Sequence, residues 1–177
     1  MPRKSNECPQ CGGLKDYRSR LCKNCGRNVN DGVDYSKLTP QWLACFSGFF
    51  IGEGSVGVYF DKRARGSYHA RMSLKLRADD KPALDDIVDK LGGKIYSDKN
   101  RTSQQWGWAS CDTSHINEIC GLILENCPIP GKKLIEIRLV QEFCTWRLAQ
   151  PYRVTDWSYA EDLAIRLSRC KLFTEIG

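Results

Sequence analysis

The sequence predicts an α+β fold in which an antiparallel sheet is covered on one face by helices, with a small cysteine-bearing module before it and further helices after it. From Thr39 onward, helix and strand patterns follow one another in the order αββαββα. The strand patterns come in adjacent pairs, which is typical of hairpins in antiparallel sheets. Residues 1–30 contain too few large apolar side chains to form a core of their own.

Composition and charge indicate the class of protein and of partner. The 177 residues are 41% hydrophobic and 27% charged, as in folded globular chains. The net charge of +6 is concentrated in two segments, since residues 1–30 hold seven Lys and Arg against two acidic residues and residues 56–77 hold six against one. Two local basic patches indicate nucleic acid as the partner, in preference to a surface charged only for solubility.

Residues 1–7 lack the apolar core of a signal peptide, and the longest apolar run, Trp42 to Gly52, is too short to cross a bilayer. We therefore expect an intracellular protein, in the cytoplasm of a prokaryote or phage-infected cell or in an organelle. We expect no membrane partner and no small-molecule cofactor. Cysteines in such a compartment stay reduced.

The first element is a pair of CxxC-Gly motifs. Cys8 and Cys11 form one and Cys22 and Cys25 the other, with ten residues between the pairs. Four thiolates at this spacing suit one tetrahedral Zn²⁺, and a structural metal explains how a segment without a core folds. A redox pair needs only one CxxC, and disulfides are disfavoured in a reducing compartment. Residues 1–30 resemble a zinc ribbon whose basic residues could contact phosphates, although zinc ribbons also bind proteins.

Residues 31–38 form a polar, turn-rich linker, and the main domain follows over residues 39–177. Thr39-Pro40 predicts a helix start, because threonine caps helices and proline suits the first helical position. This largely apolar helix extends to about Gly52 and is closed by Gly54.

Two strands are predicted next, over residues 55–60 and 69–77, with a basic turn between them. Alternation in the second strand predicts one apolar face and one basic face. The remaining predicted elements are a helix between Asp79/Asp80 and Gly92, strands over residues 94–98 and 104–111, a helix opened at Thr113 or Ser114, a helix over residues 132–146, and a last helix from Ser158 to about Lys171.

The helix before the first strand carries the most informative residues. Gly48 and Gly52 lie four residues apart on one helical face, so a second helix could approach closely there. Glu53 and Gly54 end the helix directly before a strand, which would bring the carboxylate to the sheet surface. The alternative interpretation is a buried helix with a C-terminal Glu and glycines for turning.

Residues 46–54 (FSGFFIGEG) resemble the LAGLIDADG motif of homing endonucleases. The resemblance extends over roughly residues 39–146, because the αββαββα order matches, as do the junction at residues 76–80 and the helix start at residues 131–133. It implies the curved antiparallel sheet of that family. One departure is Ile51, where the family usually has an acidic residue that does not bind the metal.

The resemblance also implies an activity. Glu53 would bind a catalytic Mg²⁺, with the backbone carbonyl of Gly52 as a further ligand, and the reaction would be phosphodiester hydrolysis. Because the chain has one motif and two strands must be cut, it would act as a homodimer with its Glu53 residues near the twofold axis. It would make a staggered double-strand cut at a long, near-palindromic target, as the endonuclease of a mobile intron or similar element. The implied interface residues are Phe46, Gly48, Phe49 and Gly52.

A two-stranded ribbon fits the major groove of DNA, where Arg can bind guanine through two hydrogen bonds. The predicted DNA contacts are Tyr59, Lys62, Arg63, Arg65, Arg71, Ser73, Lys75, Arg77, Lys99, Arg101 and Gln105. Lys132 and Lys133 either hold phosphates at a helix start or are ordinary solvated charges. His69 and His115 receive no role, and the five Trp are expected to pack in the core.

Two other functions stay open. A non-cleaving DNA- or RNA-binding regulator or intron maturase on the same fold is slightly favoured by Ile51 and opposed by Glu53. A zinc-ribbon adaptor that binds proteins would explain residues 1–30 but would give the basic strand no role.

Overall fold

The computed structural model describes residues 33–62, 66–98, 105–127, 130–151 and 153–172. The predicted zinc ribbon and the first two residues of the predicted linker lie outside these residues. The described elements follow the order αββαββα and continue with two further helices. The predicted α+β fold with an antiparallel sheet is therefore confirmed.

Five helices and four strands make up the described part of the chain. The helices are α1 (Pro40–Glu53), α2 (Lys81–Leu91), α3 (Thr113–Asn126), α4 (Lys132–Ala149) and α5 (Ser158–Leu172). The strands are β1 (Gly54–Asp61), β2 (Ser67–Arg77), β3 (Lys94–Asp98) and β4 (Gln105–Ser110). Over the residues described, none of the helices has both the length and the apolar character needed to cross a membrane.

Helix α1 begins and ends as its sequence predicts. The Thr39 hydroxyl accepts a hydrogen bond from the Trp42 N–H at 3.2 Å, and Pro40 occupies the first helical position. At the other end, the Gly54 N–H donates to the carbonyl of Phe50. At each end of α1, one of these hydrogen bonds satisfies a backbone group that would otherwise have no partner within the helix.

The sheet has the strand order β1-β2-β4-β3, and all neighbouring strands are antiparallel. Val56, Ala70, Met72, Leu74 and Trp108 share one face and are at most 1% exposed. This is the face that the helices cover, because the same side chains belong to the common core. The apolar face predicted for the second strand is therefore confirmed.

The two hairpins leave the sheet at opposite ends. Strand β4 pairs with Met72–Arg77 of β2, whereas β1 pairs with β2 from Ser67 to Leu74. Residues 57–61 and 67–71 thus form a two-stranded ribbon, which we call the outer ribbon, that extends past β4. The last described pair of the second hairpin, Asp98 with Gln105, lies beside Arg77 at the other end of β2.

The helices and the sheet form one core. Each helix contributes at least one fully buried side chain, and examples are Phe50, Leu84, Ile119, Phe143 and Leu163. The tryptophans pack as predicted: Trp108 is fully buried, and Trp42, Trp106, Trp146 and Trp157 are partly buried against the core.

His115 connects three elements inside this core. Its side chain is 3% exposed, its Nε2 donates a hydrogen bond to the carbonyl of Leu91, and its Nδ1 lies 2.8 Å from the Ser110 hydroxyl. The imidazole on α3 therefore forms hydrogen bonds with a carbonyl in the last turn of α2 and with a hydroxyl at the end of β4. Its contribution to the fold is structural, since buried polar groups without partners are costly.

The segment before α1 is packed against the domain. Val33 is 7% exposed, and the Asp34 N–H donates to the carbonyl of Lys90 at 2.8 Å. The Lys37 ammonium lies 2.6 Å from the Asp89 carboxylate. The last residues of the predicted linker are thus held against the end of α2.

Candidate nucleic-acid interface and metal site

The face of the sheet opposite the helices is open and carries mainly polar and basic side chains. The residues on this open face include Ser55, Tyr59, His69, Arg71, Ser73, Lys75, Arg77, Lys94, Tyr96 and Gln105. Strand β2 runs along it with 11 residues, which at about 3.3 Å per residue is roughly 35 Å. A surface of this length and charge suits an extended polyanion.

A hollow of about 470 Å³ lies on the open face beside the end of α1. Its lining residues are Glu53, Ser55, Tyr59, His69, Arg71, Ser73 and Lys75. The structure thus brings together five of the residues predicted for catalysis or DNA binding. One carboxylate and two cationic side chains border the same hollow, and this combination can bind a phosphate group together with a metal ion.

Glu53 is the last residue of α1, and its exposed side chain borders the hollow. A carboxylate is unfavourable at a helix C-terminus, where the last carbonyls also carry partial negative charge. A hard divalent cation would offset both, because Mg²⁺ and Ca²⁺ prefer carboxylate and carbonyl oxygens.

The described residues of one chain do not bring two further metal-binding side chains close to Glu53. Within residues 33–172, apart from the segments left undescribed, no three His, Cys, Asp or Glu side chains cluster around a common point. Glu53 and the carbonyls of the last turn of α1 fit a divalent cation in chemical type.

The direct passage from α1 into β1 fixes the position of Glu53. Gly54 is both the cap of α1 and the first residue of β1, paired with Leu74. A Cβ at Gly54 would lie 2.4 Å from the carbonyl oxygen of Phe50 and 2.7 Å from its ring. Only glycine allows β1 to start this close to the fully buried Phe50.

The outer face of α1 is open at its glycines. Gly48 and Gly52 are exposed, and a Cβ at either would meet no other described part of the chain within 4 Å. Phe49 is half-buried. Phe46 is 4% exposed and stacks on Trp42 in the core of its own chain, and its predicted place in a dimer interface stays a prediction.

The remaining predicted DNA contacts divide by position. Lys62 is exposed at the end of β1, and Gln105 is half-buried on the open face. Arg77 is 81% exposed, with its Nε 3.6 Å from the carboxylate of Asp79. Arg63, Arg65, Lys99 and Arg101 lie outside the described residues.

The two lysines at the start of α4 differ in their surroundings. The ammonium of Lys133 lies 2.9 Å from the carboxylate of Glu136, whose side chain is 4% exposed. A buried carboxylate is costly without a counter-charge, so Lys133 is committed to neutralising Glu136. The predicted DNA contacts of Lys132 and Lys133 both stay predictions.

His69 is a residue that the sequence left without a role. It lies on the open face, lines the hollow, and has its ring centroid 6.1 Å from that of Tyr59. The alternation that assigns Arg71 and Ser73 to the open face reaches His69 two residues earlier. The same alternation could therefore have assigned His69 to the open face from the sequence.

The comparisons with known proteins agree with this geometry. The family described as LAGLIDADG endonuclease matches residues 46–144. No relative was found among curated proteins by sequence.

Solved structures of similar fold include the homing endonuclease I-CvuI in complex with its target in the presence of calcium, at 14% identity and a TM-score of 0.59, covering 75% of this chain and 82% of that one. An archaeal intron-encoded homing endonuclease complexed with DNA has 13% identity and a TM-score of 0.63, over 73% of this chain and 84% of that one. The endonuclease I-SmaMI bound to cleaved DNA has 19% identity and a TM-score of 0.54, over 68% of this chain but 39% of that one. At these identities the likeness is one of fold.

Replacement of Gly54 by Ala tests the close junction between α1 and β1. We expect the free energy of unfolding to fall by about 1–3 kcal/mol, since the new Cβ would overlap the backbone of Phe50 and force β1 away. The measurement is urea denaturation followed by circular dichroism. Gly121→Ala on α3 is the control, because its Cβ would meet only the flexible end of Gln141 at 3.4 Å. Equal stability of the two variants would contradict the role given to Gly54.

Proposed function

The chain belongs to the LAGLIDADG endonuclease family, and we propose that it makes a site-specific, metal-dependent double-strand cut in DNA, as the endonuclease of a mobile intron or similar element. The observation that carries this proposal is Glu53 at the border of a basic hollow on an open sheet face. The solved structures of similar fold support it, because they are homing endonucleases in complex with DNA.

The dimensions of the open face suit the major groove. A two-stranded ribbon fits that groove, and β1 and β2 supply one with eight and 11 residues. Its length of roughly 35 Å corresponds to about ten base pairs of duplex, taking 3.4 Å per step along one strand. One copy of the chain would then cover half of a target of about twenty base pairs.

Three exposed cations give the open face its affinity for DNA. Arg71, Lys75 and Arg77 alternate with apolar residues on β2, so all three point away from the core. Their charges can bind phosphates, and an Arg can in addition recognise guanine. Tyr59, Ser73 and Gln105 add hydrogen-bonding groups to the same face. The outlying contacts that we propose are Lys62, Arg63, Arg65, Lys99, Arg101 and Lys132.

The reaction is proposed to take place where Glu53 borders the hollow. Glu53 and the backbone carbonyl of Gly52 would hold Mg²⁺, which when bound polarises the scissile phosphate and lowers the pKa of a water molecule. Lys75 lines the same hollow and can stabilise the negative charge that increases on the phosphate oxygens during hydrolysis. Ser55 and Ser73 face each other across β1 and β2 and can orient the DNA backbone by hydrogen bonds.

A homodimer is proposed because one chain supplies one such carboxylate. The exposed glycines of α1 allow two α1 helices to approach closely, which would bring both Glu53 residues near a twofold axis. An apolar groove of about 220 Å³ between α1 and α2, with Cys45 and Phe49 in its lining, continues this surface. The longer chain of I-SmaMI, of which this chain matches 39%, is consistent with one such unit per chain here.

Residues 1–30 are proposed to be a zinc ribbon that is joined by residues 31–38 to the endonuclease domain, residues 39–177 with their C-terminal helices. The support is the double CxxC-Gly pattern of Cys8, Cys11, Cys22 and Cys25. Its basic residues would add phosphate contacts.

A second candidate is a regulator or intron maturase that binds nucleic acid without cutting it. The observation that favours it is Ile51, which replaces an acidic residue of the family motif. A protein-binding adaptor is a third candidate, and salt separates it from the others: DNA binding through several phosphates weakens steeply with added salt, with a slope of about 0.9 per phosphate.

Replacement of Glu53 by Gln tests the proposed activity. We expect the wild type to make Mg²⁺-dependent staggered cuts in a randomised double-stranded DNA library. Glu53→Gln should cut the selected target at least about a hundredfold more slowly, because even indirect partners of metal ligands are worth 10–100-fold. Its binding in calcium should persist, since the amide preserves the shape of the side chain.

The matched control is Glu125→Gln, at an exposed position on α3. It should cut at the rate of the wild type. Binding without cutting in the wild type would favour the regulator or maturase, and unimpaired cutting by Glu53→Gln would rule out its role as a metal ligand.

Replacement of Gly48 by Leu tests the dimer. We expect the chain to fold at least as well as the wild type, because glycine inside a helix is unfavourable and the new side chain meets open space. The dimer dissociation constant should rise at least about tenfold, since each copy brings an overpacking cost of about 1–3 kcal/mol. Sedimentation equilibrium measures it, with Thr145→Leu on the exposed side of α4 as control. A wild type that is monomeric even on DNA would contradict the proposal.

Metal analysis tests the zinc ribbon. Protein purified without chelators should contain one Zn²⁺ per chain, and Cys8→Ser should lose it because three thiolates bind less tightly than four. Cys170→Ser, on α5, should keep the metal. Absence of zinc from the native protein would show this assignment to be wrong.

A further inference from the structure

Among the residues that the structure describes, no third strand lies beside the outer ribbon. Its residues, 57–61 and 67–71, extend past the last pair of β2 and β4, which is Met72 with Ser110. A two-stranded hairpin on its own is at best marginally stable in water. The ribbon nevertheless carries Tyr59 and Arg71 on the open face, where reading a DNA sequence requires fixed positions. Support therefore has to come from its other face.

On that other face, a chain of aromatic rings connects the ribbon to the C-terminal helices. The ring centroid of Tyr68 lies 5.0 Å from that of Phe60 across the ribbon and 6.0 Å from that of Trp157. The Trp157 ring in turn lies 5.8 Å from that of Trp146 on α4. The guanidinium carbon of Arg147 lies 5.8 Å from the centre of the Trp157 ring. Trp157 is thus held between the ribbon and α4.

Helix α5 fixes the backbone next to Trp157. Ala160, Leu163 and Leu167 are at most 3% exposed and hold the helix in the core. The Trp157 carbonyl accepts the Glu161 N–H at 2.9 Å, so Trp157 is the residue from which α5 starts. Burial, together with the nearby Glu161 in the first turn of α5, raises the pKa of Tyr68.

We propose that Trp157 is a positioning residue for DNA recognition, acting through Tyr68 to hold the outer ribbon at the angle its open face needs. The proposal rests on the proposed function, because it assumes that the open face reads DNA. Tyr68 and His69 are neighbours that point to opposite faces of the ribbon, so a displacement behind the ribbon moves the reading side chains with it. Trp157 would itself touch no DNA.

A positioning role and ordinary core packing differ in which part of the domain is destabilised when Trp157 is replaced. General destabilisation lowers the hydrogen-exchange protection of all amides in a cooperative domain together. Loss of the contact between Trp157 and Tyr68 would lower the protection of the outer ribbon alone. The inner part of β2, paired with β4, would keep its position. Recognition would therefore suffer most at the base pairs under the turn end of the outer ribbon, away from the hollow that Tyr59, His69 and Arg71 border together with Glu53.

The first test is hydrogen exchange of the free protein, comparing wild type, Trp157→Ala and Trp157→Phe. In Trp157→Ala we expect amides of residues 58–60 and 68–70 to exchange at least about tenfold faster, and those of residues 73–76 to stay within about twofold. Trp157→Phe, which keeps a ring in place, should restore most of the protection. Ile165→Ala is the control, because that side chain is 44% exposed on α5.

The second test is the tolerance of the target to base substitutions, measured by cleavage of a library of single-substitution targets. Trp157→Ala should relax discrimination at least about tenfold at the base pairs farthest from the cut, and leave it within twofold at those nearest to it. Equal loss at all positions, or none, would overturn the proposal. If Trp157→Ala does not fold, Tyr68→Leu removes the same ring contact from the ribbon side and should give the same pattern.

The two tests separate failure of the proposal from failure of the proposed function. A wild type that neither binds nor cuts DNA would refute the function, while hydrogen exchange would still decide whether Trp157 holds the outer ribbon. A functional wild type whose ribbon exchanges at the same rate in Trp157→Ala would refute the positioning role alone.

Discussion

The contact between Gly54 and Phe50 is the constraint on which the rest of the domain depends. Phe50 is fully buried, and Gly54 accepts no side chain because it lies directly against the carbonyl and ring of Phe50. Strand β1 therefore starts where α1 ends, without a loop between them. This single junction brings Glu53 to the border of the open face and leaves Gly48 on the outer side of α1. A loop of even a few residues between α1 and β1 would separate Glu53 from the open face.

The element order and the two faces of the sheet could be predicted from the sequence, because both depend on local periodicity. Alternation over residues 69–77 is enough to separate a buried face from an open one. The strand order could not be predicted, since the later strand of the second hairpin, β4, is the one that pairs with β2. That choice depends on packing between distant segments. The outer ribbon follows from it, because β4 pairs with Met72–Arg77 of β2, and nothing in the sequence of residues 67–71 shows that this pairing starts only at Met72.

The sequence predicts those residues of the candidate site that lie on a regular strand or at the end of a helix. Glu53 and Arg71 belong to this class, and His69 follows from the same alternation. Two features of the site depend on the tertiary structure and could not be predicted from the sequence. Helix α1 is apolar on nearly every side, so its sequence does not show that Phe46 turns inward to Trp42. The commitment of Lys133 to a buried carboxylate depends on where α4 packs, and a pair of lysines at a helix start gives no sign of it.

The opposite directions of the two hairpins have a consequence for how such a protein can evolve. The outer ribbon and the paired residues Asp98 and Gln105 lie toward opposite ends of β2. Substitutions at sites this far apart act almost independently on free energy. A lineage can therefore adapt to a drifting target one end at a time, and each change is tested by selection without undoing recognition at the other end. The geometry of the sheet therefore allows the two ends of the open face to change one after the other.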